Sequence, residues 1–247
     1  MNSDWPWVGL QNFTDGVTSG VLQHGLGNTI VFVLIVTVVG LVGGVAAAIA
    51  LRGTSRSSGA LLALMVFIWA LPPVVNGSVW KFLFAQEGLF NSVLHLVGLS
   101  PMGFLYDQNI ALLSVALVNC WAVVPFNTLV FRAGILNIPG EQFEAAQLDG
   151  ASPWQEVRHV ILPALRPTTI VLAVLTIVYA FRSFDFIYVM TQGGPGTSTQ
   201  TLPYLSYLQA FVQYNFGQGS ATALLAVVLV IVLAVVYSRT VLKEESE

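Results

Sequence analysis

An all-α, polytopic transmembrane bundle is the fold class predicted for these 247 residues, and three observations carry it. Hydrophobic residues make up 55% of the chain and charged ones 9%, against roughly 25% charged in ordinary soluble domains. Nine basic and twelve acidic side chains are too few to coat a soluble domain of this size, so lipid must serve as part of the solvent; the mean hydropathy of +0.78 agrees. Apolar stretches also recur at the ~20-residue length that a helix needs to cross ~30 Å of hydrocarbon.

Taken in order, residues 1–28 form an extracytoplasmic N-terminal segment, with no basic stretch followed by an apolar one and hence no expected cleavable signal peptide. A transmembrane domain over 29–242 follows, with five spans at Thr29–Leu51, Ala60–Lys81, Ile110–Gly134, Thr168–Met190 and Ala221–Leu242. Inside the second, "LPPVVNGS" (Leu71–Ser78) places two prolines that remove backbone donors, so a kink or break is expected there. Such irregular backbone survives at membrane depth only where protein buries it or where it lines a cavity. Cys120, the single cysteine, lies inside the third span and is read as a small packing residue. A short tail, 243–247, ends the chain.

Basic residues orient the bundle. Arg52, Arg56, Arg132, Arg158, Arg166, Arg239 and Lys243 fall in alternate connections, whereas Met1–Asn28, Phe82–Asn109 and Thr191–Ser220 contain no Lys or Arg. By the positive-inside rule the loop around 135–167 and the C-terminus are cytoplasmic, and the N-terminus is outside.

That loop is a polar island, "EAAQLDGASPWQEVRHVILP" (Glu144–Pro163), between apolar blocks. Pro139 suits a first helical position, Glu141 and Glu144 suit the positive end of a helix dipole, and Gly150 suits a C-terminal cap. Ser152, Pro153 and Gln155 read as an N-cap with a capping box, and Pro163 is expected to stop the second helix at Leu162. Its apolar residues Trp154, Val157, Val160 and Ile161 follow helical spacing, opposite Gln155, Glu156, Arg158 and His159. Ala145 and Ala146 leave the first helix a shallow surface. A loop lying on lipid headgroups is the plainer reading, but its mixed charges gain little from anionic lipid, and a protein partner fits better.

The island resembles the loop of the membrane permeases of binding-protein-dependent ABC importers, in which EAA is followed by three residues, Gly, nine residues and I-x-L-P. Here the positions are Glu144, Ala145, Ala146, Gly150, Val160, Leu162 and Pro163, with Val160 replacing Ile. The segments "WVGLQNF" (Trp7–Phe13), "LPPVVNGSVWKFLF" (Leu71–Phe84), "FDFIYVMTQGGPG" (Phe184–Gly196) and "FGQGSATA" (Phe216–Ala223) are similar to the carbohydrate-uptake class, the maltose and glycerol-3-phosphate type. The resemblance implies a type I importer permease for a sugar or polyol phosphate. It implies that the loop, with Trp154 and Val157 beside the motif, docks on a cytoplasmic ATPase. Two ATPase subunits that bind ATP and Mg, a second related permease and an extracytoplasmic solute-binding protein would complete the assembly. It also implies that the family's usual first span is absent from this chain.

No G-x-x-x-x-G-K-[ST] occurs, so the chain is not expected to cradle ATP itself. His24, His95 and His159 lack metal-ligand spacing, no catalytic set shares a segment, and the charge of −3 without a basic stripe excludes a nucleic-acid footprint. Neither catalysis nor a cofactor or metal in this chain is expected. The candidates for a substrate path are the polar groups of two spans. Arg182 and Asp185 lie inside the fourth span at a spacing that puts them on one helix face; they form an ion pair, or one of them acts with Tyr179 or Tyr188 on a polyol in transit. Asn119, Trp121 and Asn127 on the third span either bond neighbouring helices or contact substrate. An ion-coupled secondary transporter using Arg182 and Asp185 is the competing functional class, and a membrane scaffold that merely recruits a protein is a third.

Overall fold

The structure is a computed structural model that describes residues 7–53 and 55–244, with side chains as far as Val232. The side chains of Arg239 and Lys243, and the end of the expected tail, lie outside the described residues.

A short helix α1 (Gln11–Thr18) precedes α2 (Val21–Ala50), so the first span starts at Val21 rather than Thr29. Polar His24 and Asn28 are tolerated on that helix because they bond the Thr197 carbonyl at 3.2 and 3.1 Å, Asn28 reaching Gln200 as well. Helix α3 (Arg56–Ala70) is N-capped by Ser55 and ends at Leu71, which the following proline drives into the extended region (φ −66°, ψ 133°). The next helix, α4 (Pro73–Leu83), departs at 102°. The expected interruption is therefore a full break, and Ala60–Lys81 is no straight crossing. The 15 residues of α3 reach only about 22 Å.

Helix α5 (Leu89–Leu96) lies in the next connection, and α6 (Ala111–Leu136) runs on through Pro125. The polar island forms α7 (Gly140–Leu148) and α8 (Pro153–Glu156), then a wide π-helical turn over Val157–Ile161, then α9 (Leu162–Ala164) and α10 (Arg166–Phe181). Pro139 caps α7 from outside rather than opening it. Pro163 does not end the helical path. A proline clashes with the carbonyl four residues back, and the π turn, in which the Leu162 amide reaches the Val157 carbonyl, widens the backbone just ahead of it.

The fourth span is also interrupted: α10 stops at Phe181 and α11 (Asp185–Met190) begins afresh. Helix α12 (Leu202–Tyr207), a second π turn at Leu208–Val212 and α13 (Phe216–Glu244) complete the chain. Among the described residues Val21–Ala50, Ala111–Leu136 and Arg166–Met190 are long and apolar enough to cross a membrane, the broken α3–α4 pair is a further candidate, and α13 is apolar over Phe216–Val232.

Two compact units emerge. One comprises Met1–Val33, Gly77–Val115 and Phe181–Glu247. It is held by Leu22, Leu202 and Leu205 with Leu26, Leu225 and Leu229, and by a polar clasp in which Thr29 Oγ1 accepts from the Leu202 amide at 2.8 Å. The other comprises Leu34–Asn76 and Ala116–Ala180, and buries Ala48, Phe131, Ile135, Ile161, Leu165 and Leu172 together. In it α2 approaches α6 closely at Gly44, where a Cβ would come within 2.6 Å of Asn127 Cβ.

Candidate docking surface and transmembrane polar groups

The second unit presents the polar island. Helix α7 ends in a left-handed residue, Gly150 at φ +72°, with the Gly150 amide donating to the Gln147 carbonyl at 3.0 Å and the Ala151 amide to Ala146 at 2.9 Å. These are the two bonds of a Schellman cap, so the motif glycine sets where the first helix stops. Two residues on, Ser152 Oγ accepts from the Gln155 amide and Gln155 Oε1 accepts from the Ser152 amide at 2.7 Å, the expected capping box.

Between these helices lies an open cleft of about 560 Å³, floored by Ala145, Ala146, Gly150 and Val160 and edged by Gln142, Gln155 and His159. Four of the motif positions thus meet in one concave surface. Glu144, Leu162 and Pro163 are exposed beside it, and Trp154 and Leu148 stand out at 69% and 89% exposure. The apolar face expected on the second helix divides. Ile161 is buried and Val157 packs inward against the Phe131–Leu165 core, whereas Trp154 points away from it. Large exposed apolar side chains beside a shallow cleft are what a protein partner grips.

Two arginines that read as topology markers have specific work. Arg132 Nε donates to the Leu51 carbonyl at 2.9 Å, at the C-terminal end of α2, and Arg52 pairs with Glu156 of the island. A separation of 104 residues hides the second contact from any local pattern.

The transmembrane candidates separate. Asn119 and Asn127 are fully buried, and Asn127 exchanges hydrogen bonds with Thr176 at 3.3 and 3.4 Å, which makes its amide a helix-packing group. Trp121 is 46% exposed. Tyr179 lines a cavity of about 230 Å³ with Trp69, Ala122, Val123, Phe126, Leu175 and Thr176, where the Trp69 and Phe126 rings stack at 5.6 Å. Trp69 and Thr176 carry no signal in isolation and come to this cavity only through packing.

In the first unit, Arg182 and Asp185 form no ion pair with each other among the described residues. The pairing reading assumed a continuous helix; the break leaves Arg182 exposed after α10 and sets Asp185 in the first turn of α11, where the helix dipole favours a carboxylate. Tyr188 joins an aromatic group instead, stacked on Phe184 at 5.2 Å and edge-on to Tyr207 at 5.6 Å.

Comparison with known proteins bears on both regions. Residues 40–243 match the family described as binding-protein-dependent transport system inner membrane component. The trehalose/maltose transport system permease protein MalF of Thermococcus litoralis is 33% identical over 238 residues, covering 95% of this chain and 79% of that protein. The sn-glycerol-3-phosphate transport system permease protein UgpA of Agrobacterium fabrum is 33% identical over 241 residues, 96% of this chain and 81% of that one. In fold the chain is similar to a chain of a bacterial ABC transporter involved in the import of the acidic polysaccharide alginate, with a TM-score of 0.86 at 20% identity over 96% of this chain and 84% of that chain.

Proposed function

Because the chain belongs to the family of binding-protein-dependent transport system inner membrane components, we propose that it is the sugar-translocating permease subunit of an ATP-driven importer. The observation that carries the mechanism is the cleft at the polar island, where Ala145, Ala146, Gly150 and Val160 form one surface beside the exposed Trp154. Two cytoplasmic ATPase subunits bind ATP and Mg, a second related permease completes the path, and an extracytoplasmic binding protein delivers the solute. The chain itself hydrolyses nothing. The island and the C-terminus face the cytoplasm, in keeping with the arginines around them.

In this reading ATP binding draws the ATPases together, and the docked α7 moves with them as a lever on the helices packed beneath it. Polar groups that are neutral and aromatic suit a sugar, and the cavity is lined by the rings of Trp69, Phe126 and Tyr179 together with Thr176. The substrate class follows the relatives, which are named for trehalose and maltose and for sn-glycerol 3-phosphate. An ion-coupled transporter would need Arg182 and Asp185 as a coupling pair, and they do not pair.

The test is uptake of radiolabelled maltose, trehalose and sn-glycerol 3-phosphate by vesicles carrying the assembled complex. Replacing the catalytic glutamate of the ATPase should abolish uptake, and collapsing the proton gradient should leave it intact. Uptake that survives the first treatment and stops with the second would overturn the proposal.

A further inference from the structure

We infer that Arg52 and Glu156 form a strut that locks the docking loop to the end of the first span, so that α2 and α8 move as one body. This rests on the reading of the island as the ATPase docking surface, but the pair belongs to no part of that motif. Arg52 follows the last turn of α2, and its Nη1 donates to Glu156 Oε1 at the end of α8. The Glu156 side chain is 12% exposed and that of Arg52 38%, so the pair is partly withdrawn from water. Its base is fixed as well, because the preceding carbonyl, Leu51, accepts from Arg132 of α6.

The contacts beneath explain why a polar link matters. Ala48 of α2 and Ile161 and Leu165 below the loop share one apolar core with Ile49 and Val157. Apolar contact is non-directional, and packed helices can slide along it by an ångström or two at small cost. A charge-assisted hydrogen bond is short and directional, and fixes the register that the apolar contact leaves soft. On the other side of the pair lies a cleft of about 380 Å³ shared with Ile138, Phe143 and Gln147, and α7 reaches the same apolar core through Phe143. Motion imposed on the loop therefore reaches the first span through this soft apolar contact, and the pair is what holds α8 in register with that span. Arg52 and Glu156 are positioning residues, acting through the loop rather than on substrate.

The experiment is a double electron–electron resonance measurement between spin labels at Ala50→Cys and Arg158→Cys, two exposed positions flanking the pair, in a Cys120→Ser background. The assembled complex is measured without nucleotide and with ATP, using an ATPase that lacks its catalytic glutamate. The parent should give one narrow distance in both states. Arg52→Ala and Glu156→Ala should each broaden it and shift it by roughly 2 Å or more on ATP binding. The charge swap, Arg52→Glu with Glu156→Arg, should restore the parent behaviour, and Arg52→Lys should restore part of it. Single variants that match the parent, a parent that shifts with ATP, or a swap as broad as the singles would each overturn the strut. A parent permease that fails to retain the ATPase overturns the docking reading instead; the nucleotide-free widths on the permease alone then still decide whether the pair holds the two helices together.

Discussion

Gly150 and Gly44 are both constrained, and for opposite reasons. Gly150 sits in the left-handed region with nothing within 4 Å of where a Cβ would be, so any substitution there acts through backbone strain alone. Valine should cost about 1–3 kcal/mol, whereas asparagine tolerates that conformation. Gly150→Val is expected to reduce ATPase co-purification severalfold without changing membrane insertion, and Gly150→Asn to stay near the parent. Equal yields from the two would show that the cap geometry is unimportant. Gly44 is right-handed but crowded, with a Cβ reaching 2.6 Å from Asn127. Gly44→Ala should push α2 off α6 at a cost of about 1–3 kcal/mol, read as a lower melting temperature of the detergent-solubilised protein.

Helix ends decide what the elements can do. The capping box at Ser152 starts α8 where the cleft beside α7 has its second wall. Ser152→Ala should remove about 1 kcal/mol there and raise hydrogen exchange at the Gln155 amide roughly fivefold; unchanged protection would mean that tertiary packing alone holds the turn. The break between α10 and α11 has a different consequence. With Arg182 in the break, Asp185 in the first turn of α11 and no ion pair between them, the double change to alanine should equal the sum of the single ones within about 0.5 kcal/mol in a mutant cycle on stability. Coupling well beyond that would restore the pairing that a continuous helix predicts.

For the whole molecule the broken α3–α4 pair is the most consequential irregularity. Val75 is 48% exposed, whereas Gly77 is buried, with a Cβ position 3.5 Å from Phe186 and 3.6 Å from Val189. A segment bent by 102° and open on one side is suited to line a path whose access alternates. In a Cys120→Ser background, Val75→Cys should react with a membrane-impermeant thiol reagent at a rate that differs between nucleotide-free and ATP-bound complexes, and Gly77→Cys should react far more slowly in both. Negligible labelling of Val75→Cys in the two states would leave the break as a buried structural kink.

Much of this protein is written locally. Apolar length, the scarcity of charge, the caps at Gly150 and Ser152 and the interruption at Pro72 and Pro73 are properties of neighbouring residues, and the helical class, the two capped helices of the polar island and the site of the first break follow from them. Tertiary structure decided what depends on distant partners. Val21–Asn28 became helix because His24 and Asn28 find carbonyls at 197–200, a relation no window of sequence contains. Pro163 was passed rather than obeyed because a π turn relieves its clash while Ile161 and Leu165 stay in the core. Asn127 proved to be a packing group, Trp69 came to share a cavity with Tyr179, and Arg52 met Glu156 through the same cause. Side chains far apart in the chain exchange contacts only once the helices have packed, and burial then assigns each polar group the partner that local pattern leaves open.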